Sequence, residues 1–376
     1  MIVVLPDTSV TNTAAPPQLK KPDAYLSKRC AAKNAFIDKM CAGNNPNQKQ
    51  TSIGIEMTTQ SAIVALRASL NDAIVGQAKL LDRLVVTLLA GGHVLVEGLP
   101  GLAKTTAVKA LADAVHAGFQ RIQFTPDLLP GDLTGTDIYN PNEGRFDFAQ
   151  GPLFHEIVLA DEINRAPAKV QSALLEAMQE RQITVGGVTR PLPPLFMVMA
   201  TQNPLEQAGT YPLPEAQLDR FLLHITLDYP SADEELEVLR RERARQKQNQ
   251  TTPPNAVIDA ATVLMARAEV NHLHLAPELE QYIVAIVSAT RHLDQVAPDV
   301  ARFIAVGASP RATLAIAHAA QALAYLRGRE FVTPDDILDI APDCLRHRLI
   351  PTVSARVEKV TLNTVIAQLL EAVPTP

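Results

Sequence analysis

Apolar positions change period twice along this chain of 376 residues. Over residues 61–73 they recur at helical spacing, with Ile63, Leu66, Leu70 and Ile74 on one face. A second helical stripe runs through Leu80, Leu84, Val85 and Leu88. Short strand-like runs, several of them continuously apolar, then take over at 94–97, 121–124, 157–160, 196–200 and 221–227, with helix-forming segments between them. Such runs predict strands covered on both faces, and their alternation with helices predicts a parallel sheet. Beyond Tyr229-Pro230 helical patterns dominate to the end. Ser309-Pro310 and Thr333-Pro334 each pair a capping residue with proline at the first helical position. The predicted fold class is therefore α/β, an αβα sandwich over residues 58–229, followed by a small all-α domain over 230–376.

Residues 1–57 carry no sustained period and mix Pro, Thr, Asn, Gln and Lys, as in Asn44-Asn45-Pro46-Asn47-Gln48. They are expected to form a disordered or weakly ordered tail. Coherent patterning starts at Met57, so 1–56 are expected to be an upstream extension that is not always translated.

Bulk composition narrows the classes. The chain is 47% hydrophobic and 20% charged, with formal net charge −6, which argues against a dedicated nucleic-acid binder. Aromatics make up 4% and tryptophan is missing, so base-stacking platforms are scarce. Residues 233–250 intersperse Glu and Arg and read as a solvated helix and linker. No apolar run approaches the ~20 residues of a membrane span. Cys30, Cys41 and Cys344 have neither disulfide-framework nor metal-ligand spacing, which points to a reducing cytoplasm.

The chemistry begins at Gly98-Leu99-Pro100-Gly101-Leu102-Ala103-Lys104-Thr105, between a predicted strand and a predicted helix. Glycines let the backbone turn so that successive N–H groups face phosphate oxygens, and the helix N-terminus adds partial positive charge. In that setting Lys104 reaches the β- and γ-phosphates of ATP and the Thr105 hydroxyl ligates Mg²⁺, with Thr106 opening the helix. The residue before the lysine is usually glycine; here it is Ala103. The apolar run 157–160 ends in Asp161-Glu162, where Asp161 suits the Mg²⁺ shell and Glu162 suits general-base work on water. Phe196-Met197-Val198-Met199-Ala200 leads to Thr201-Gln202-Asn203-Pro204, and Asn203 could orient the water with Glu162. Arg220 is a candidate arginine finger for a neighbouring subunit. Arg311, at a helix start in the second domain, is a candidate for the γ-phosphate from that domain. His93, His155 and Cys344 are assigned no role.

These elements, in this order, resemble the AAA+ ATPases, and within them the MoxR family. The likeness rests on 98–105 with its Ala103-Lys104-Thr105 ending, on Leu159-Ala160-Asp161-Glu162-Ile163-Asn164-Arg165-Ala166, on 171–180, on 200–204 and on Gln217-Leu218-Asp219-Arg220-Phe221. It implies a P-loop AAA+ αβα core with an all-α lid, and an ATPase using ATP and Mg²⁺. It sets Val75 and Gly76 beside the adenine. It makes 127–148 an insert whose hairpin turns at Asn140-Pro141-Asn142-Glu143-Gly144, and 182–190 a second hairpin around Gly186-Gly187, with Arg181 and Arg190 as its only bases. It also implies a homo-hexamer, chaperone-like maturation of protein complexes or insertion of metal cofactors, and partners carrying von Willebrand factor A domains. The alternatives are a DNA-directed AAA+ motor of the helicase type, and a nucleotide-gated scaffold with little turnover.

Overall fold

In the computed structural model, residues 58–204, 209–248 and 257–376 are described. The expectations for 1–57 lie outside them. Two helices open this part, α1 (Thr59–Ala73) and α2 (Ala78–Leu89). Then follow β1 (Val94–Gly98), α3 (Lys104–Ala114), β2 (Phe119–Gln123), α4 (Pro130–Thr134), β3 (Gly135–Asn140), β4 (Arg145–Gln150) and β5 (Ile157–Asp161). The α/β half ends with α5 (Ala168–Glu180), β6 (Gln182–Val185), β7 (Val188–Pro191), β8 (Met197–Gln202), α6 (Glu215–Leu218) and β9 (Leu223–Leu227).

Five strands form one sheet in the order β2-β5-β8-β1-β9, and every neighbouring pair is parallel. Side chains alternate faces along each strand. Val94, Val96, Leu159, Met197 and Met199 join one apolar cluster, while Leu95, Val158, Ala160, Val198 and Ala200 join another. That double burial is why these strands read as unbroken apolar runs. The two predicted hairpins are present as antiparallel pairs, β3–β4 and β6–β7, outside the main sheet.

The rest is mainly helical: α7 (Ala232–Gln248), α8 (Ala260–Asn271), α9 (Pro277–Ala289), α10 (Leu293–Val296) and α11 (Pro298–Ala301). A small antiparallel pair, β10 (Ile304–Val306) with β11 (Ile350–Pro351), was not foreseen; three- and two-residue strands carry too little pattern to read. Between them lie α12 (Pro310–Leu326) and α13 (Pro334–Leu345), and after them α14 (Val353–Val357) and α15 (Leu362–Ala372). Both predicted caps hold. The Ser309 hydroxyl accepts the Arg311 N–H, and at the second start the Asp336 carboxylate accepts from the Thr333 N–H at 2.9 Å and the Thr333 hydroxyl at 2.8 Å.

The larger apolar cluster runs without a break from α1–α3 into α8, α9, α12, α13 and α15. A buried ion pair reinforces that junction. Arg83 on α2 donates to Asp343 (2.8 Å) and Asp339 (2.6 Å) of α13. Removing one partner strands a buried charge, at a cost of about 3–5 kcal/mol.

His93 has a structural job. Its Nδ1 accepts the Val198 N–H at 3.0 Å, so the other nitrogen carries the proton, 3.2 Å from the Met178 carbonyl. Burial, helped by the Arg181 charge, pushes its pKa down from 6.5 to about 3. Burial also pushes His347 well below its ordinary value. Both are neutral when folded and protonate more readily when unfolded. Their contribution to stability is whole above pH 6.5 and is lost as pH falls toward their folded values. Denaturant unfolding should therefore show stability falling from pH ~6.5 to ~5, by up to about 1.4 kcal/mol per pH unit for each histidine. A flat profile over that window would contradict it.

Candidate functional site

Because the strands run parallel, their C-terminal ends share one edge of the sheet, the usual place for ligands in open α/β folds. There a cleft of about 430 Å³ is lined by Pro100 through Thr106, by Asp161 and Glu162, and by Asn203. The phosphate-loop residues, both carboxylates and the amide picked out in the sequence thus converge in space. Arg121, Thr201 and Gln202 line the cleft as well.

The loop leaves β1 at Gly98, where a Cβ would come within 2.9 Å of the Leu227 side chain on β9. Gly101 has φ +87°, open to glycine without strain. Ala103, the position that departs from the usual glycine, takes the same left-handed region with φ 54°. A methyl group is tolerated there, at a cost of roughly 1–2 kcal/mol. Ala103 is also the N-cap of α3 and makes no side-chain cap, and the first turn of α3 has no acidic residue. The helix thus presents its N-terminal N–H groups and dipole to the cleft. Lys104 donates from Nζ to the Gly98 carbonyl at 2.6 Å. Burial holds its pKa below the usual lysine value, against the opposing pull of Asp161 and Glu162.

One hydroxyl organises the acidic tip. Thr201, at the end of β8, donates to Asp161 Oδ1 at 2.5 Å and accepts the Glu162 N–H at 3.0 Å. The other oxygen of Asp161 is held by Arg121 on the edge strand β2, at 2.7 Å from Nη2. Glu162 adopts a left-handed backbone, φ 58°. Its carboxylate accepts from Gln123 Nε2 at 2.6 Å and lies 3.2 Å from Arg165. Behind it the fully buried Gln171 of α5 donates to the Ile163, Ala166 and Tyr211 carbonyls, fixing the turn that follows Glu162. Arg121, Gln123 and Thr201 were missed in the sequence. The signal was there: each is a polar residue at or near the C-terminal end of a parallel strand.

Arg220 and Arg311 do not line this cleft. With Met178, Gln179 and Asp219 they line a second one of about 260 Å³, which shares no lining residue with the first. Arg311, the sequence candidate for the γ-phosphate, lies in the lining of this second cleft. The start of α12 is tied to Asp219, through the Ser309 hydroxyl at 3.0 Å and Arg311 Nη1 at 3.6 Å. Val75 and Gly76 also lie outside the phosphate cleft lining. Gly76, φ +75°, packs against Pro230 and Glu234, where the chain leaves β9 for α7.

The two hairpins touch. Gly186 comes so close to Asp137 that a Cβ would clash with the carboxylate, and Arg190 lies 3.8 Å over the Phe148 ring. Arg181 donates to the Gly91 carbonyl at 2.5 Å. Both bases of the second hairpin are thus engaged within the chain.

An open glycine-containing loop at a helix N-terminus, facing a strand tip with an Asp-Glu pair, is the arrangement of the P-loop nucleotide-binding class. The family model for the ATPase family associated with various cellular activities matches residues 93–223, and the AAA lid domain model matches 296–369. Chaperone MoxR1 of Mycobacterium tuberculosis is 49% identical over 308 residues, 81% of this chain and 79% of that protein. YeaC of Bacillus subtilis is 44% identical, over 82% of this chain and 92% of that one. The crystal structure of "a putative ATPase" from Cytophaga hutchinsonii superposes with TM-score 0.78 at 40% identity, covering 93% of this chain and 99% of the other. The chain belongs to the MoxR family of AAA+ ATPases.

Substituting Thr201→Val keeps the shape and removes the hydroxyl between Asp161 and Glu162. Leaving these two groups without that partner should cost about 1–3 kcal/mol of folding stability, read by denaturant unfolding. An unchanged midpoint would show that the hydroxyl does not organise the tip.

Proposed function

We propose that the chain hydrolyses ATP to ADP and phosphate with Mg²⁺, its ATPase core spanning 58–229 and its lid 230–376. The observation that carries this reading is the convergence of the uncapped α3 N-terminus, Lys104, the Asp161-Glu162 tip and Asn203 in one cleft. The donor set suits the group: a hydroxyl (Thr105) and a carboxylate (Asp161) are hard oxygen ligands, and Mg²⁺ in such sites takes one or two protein ligands and completes its shell with phosphate and water. When bound, Mg²⁺ neutralises charge that develops on the phosphates.

The residues 98–106 cradle the phosphates, with Lys104 on the β- and γ-oxygens. Glu162 takes a proton from the attacking water, and Asn203 orients that water. Gln123 and Arg165 hold the Glu162 carboxylate until it is used. Val75 and Gly76 flank the adenine. Arg220 and Arg311 lie apart from the phosphate cleft of their own chain, so both are supplied to a nucleotide held by a second copy. This is the physical reason for an oligomer, which we take to be a homo-hexamer. In related systems such arginines contribute ~10³–10⁵ in rate.

The output of hydrolysis is remodelling or maturation of protein complexes in the cytoplasm, including metal-cofactor insertion, with von Willebrand factor A domain proteins as partners. The relative named a chaperone supports this reading. A DNA-directed motor is not favoured, because Arg181 and Arg190 are engaged within the chain.

Lys104→Ala should abolish nucleotide binding in a fluorescent-ATP titration. Glu162→Gln should bind ATP, stop turnover and retain partners on co-purification. Arg220→Ala should bind ATP normally and lose turnover, and unchanged hydrolysis in that variant would refute its role.

A further inference from the structure

Asp219 sits where three elements meet. Its Oδ1 accepts from Arg348 Nε, just beyond α13, at 2.7 Å. Its Oδ2 accepts from the Ser309 hydroxyl at 3.0 Å and lies 3.6 Å from Arg311 Nη1. Ser309 in turn accepts the backbone N–H of Arg311 at 3.2 Å. Arg311 is therefore tied to this carboxylate twice, through its guanidinium and through its backbone. Arg220 is tied by the chain itself, as the next residue. The backbone beyond it is clamped too: Arg348 Nη2 donates to the Phe221 carbonyl at 2.7 Å, and His347 lies 2.9 Å from the same oxygen.

Two guanidiniums converge on one small cleft, and Arg348 stands behind them. Without a nearby negative charge they would repel each other. Asp219 is the carboxylate of that cleft lining. Arg311 is 56% exposed on its side chain, so its ion pair with Asp219 adds little stability. What the contact supplies is orientation.

Building on the trans reading above, we propose that Asp219 is a positioning residue. It sets Arg220 and Arg311 as one clamp for the terminal phosphate of a nucleotide held by a second copy of this chain, and it ties that clamp to the lid through Ser309 and Arg348.

The test uses the full chain carrying Asp219→Asn, which keeps size and removes charge. We expect unchanged ATP affinity and unchanged assembly, with kcat lowered roughly 2- to 30-fold, the range for couplings of this kind. Mixing this variant with inactive Lys104→Ala subunits should raise the turnover per Asp219→Asn subunit above that of the unmixed variant, because the Lys104→Ala subunit brings an intact Asp219-Arg220-Arg311 group. Adding Arg311→Ala to Asp219→Asn should cost much less than Arg311→Ala alone. Ser309→Gly keeps an adequate helix cap while losing the hydroxyl, and should give the same pattern in weaker form if Asp219→Asn folds poorly. Wild-type kcat in Asp219→Asn, loss of ATP binding or assembly in step with turnover, or no recovery on mixing would each overturn the proposal. If Arg220→Ala itself hydrolyses normally, the trans reading fails and takes this one with it. If Arg220→Ala is inactive and Asp219→Asn is not impaired, only the positioning role fails.

Discussion

Every strand of the main sheet runs in the same direction, and the chemistry depends on that constraint. Parallel pairing brings the ends of β1, β5 and β8 to one edge. The phosphate loop, the Asp161-Glu162 pair and Asn203 follow those three ends directly. The order β5-β8-β1 then sets the spacing, with Thr201 on the middle strand bonded to both acidic residues of its neighbour. Burial on both faces makes the sheet rigid enough to hold these tips in register.

Local backbone choices complete the site. Ala103 and Glu162 both occupy the left-handed region, where non-glycine residues are strained by about 1–3 kcal/mol. Both line the cleft, one closing the phosphate loop and one turning the carboxylate out of the strand. Gln171 contributes from beneath, its buried amide holding three carbonyls of the surrounding turns. The ordered edge of the sheet and the strained turns belong to one arrangement: rigid strands bear the load and short turns aim the groups.

The mainly helical part is not a free appendage. One continuous apolar cluster and the Arg83–Asp343 pair join it to the helices beside the sheet. Through Arg346, His347 and Arg348 it also grips the backbone at the start of β9. Movement of the helical part would therefore be felt at Asp219, Arg220 and Arg311, in a cleft that shares no lining residue with the phosphate cleft.

Much of this was legible along the chain. Runs such as Ile157-Val158-Leu159-Ala160 are apolar at every position because both faces are buried, so strand and sheet type could be read directly. Lys104-Thr105 follow one such run through a short loop and Asp161-Glu162 end another, so parallel pairing puts both at the same edge of the sheet. Ser309-Pro310 and Thr333-Pro334 fixed their helix starts by local hydrogen bonding. What tertiary structure alone decided was the placement of side chains whose partners are far away in sequence. Arg121 and Gln123 belong to the site because β2 pairs with β5, some forty residues on. Arg311 sits beside Asp219 because the start of its helix is bonded to that residue, ninety residues earlier. Local patterns are set by short-range sterics and burial, which a sequence carries openly. Contacts between distant segments depend on how whole elements pack, and no single window of the chain holds that information.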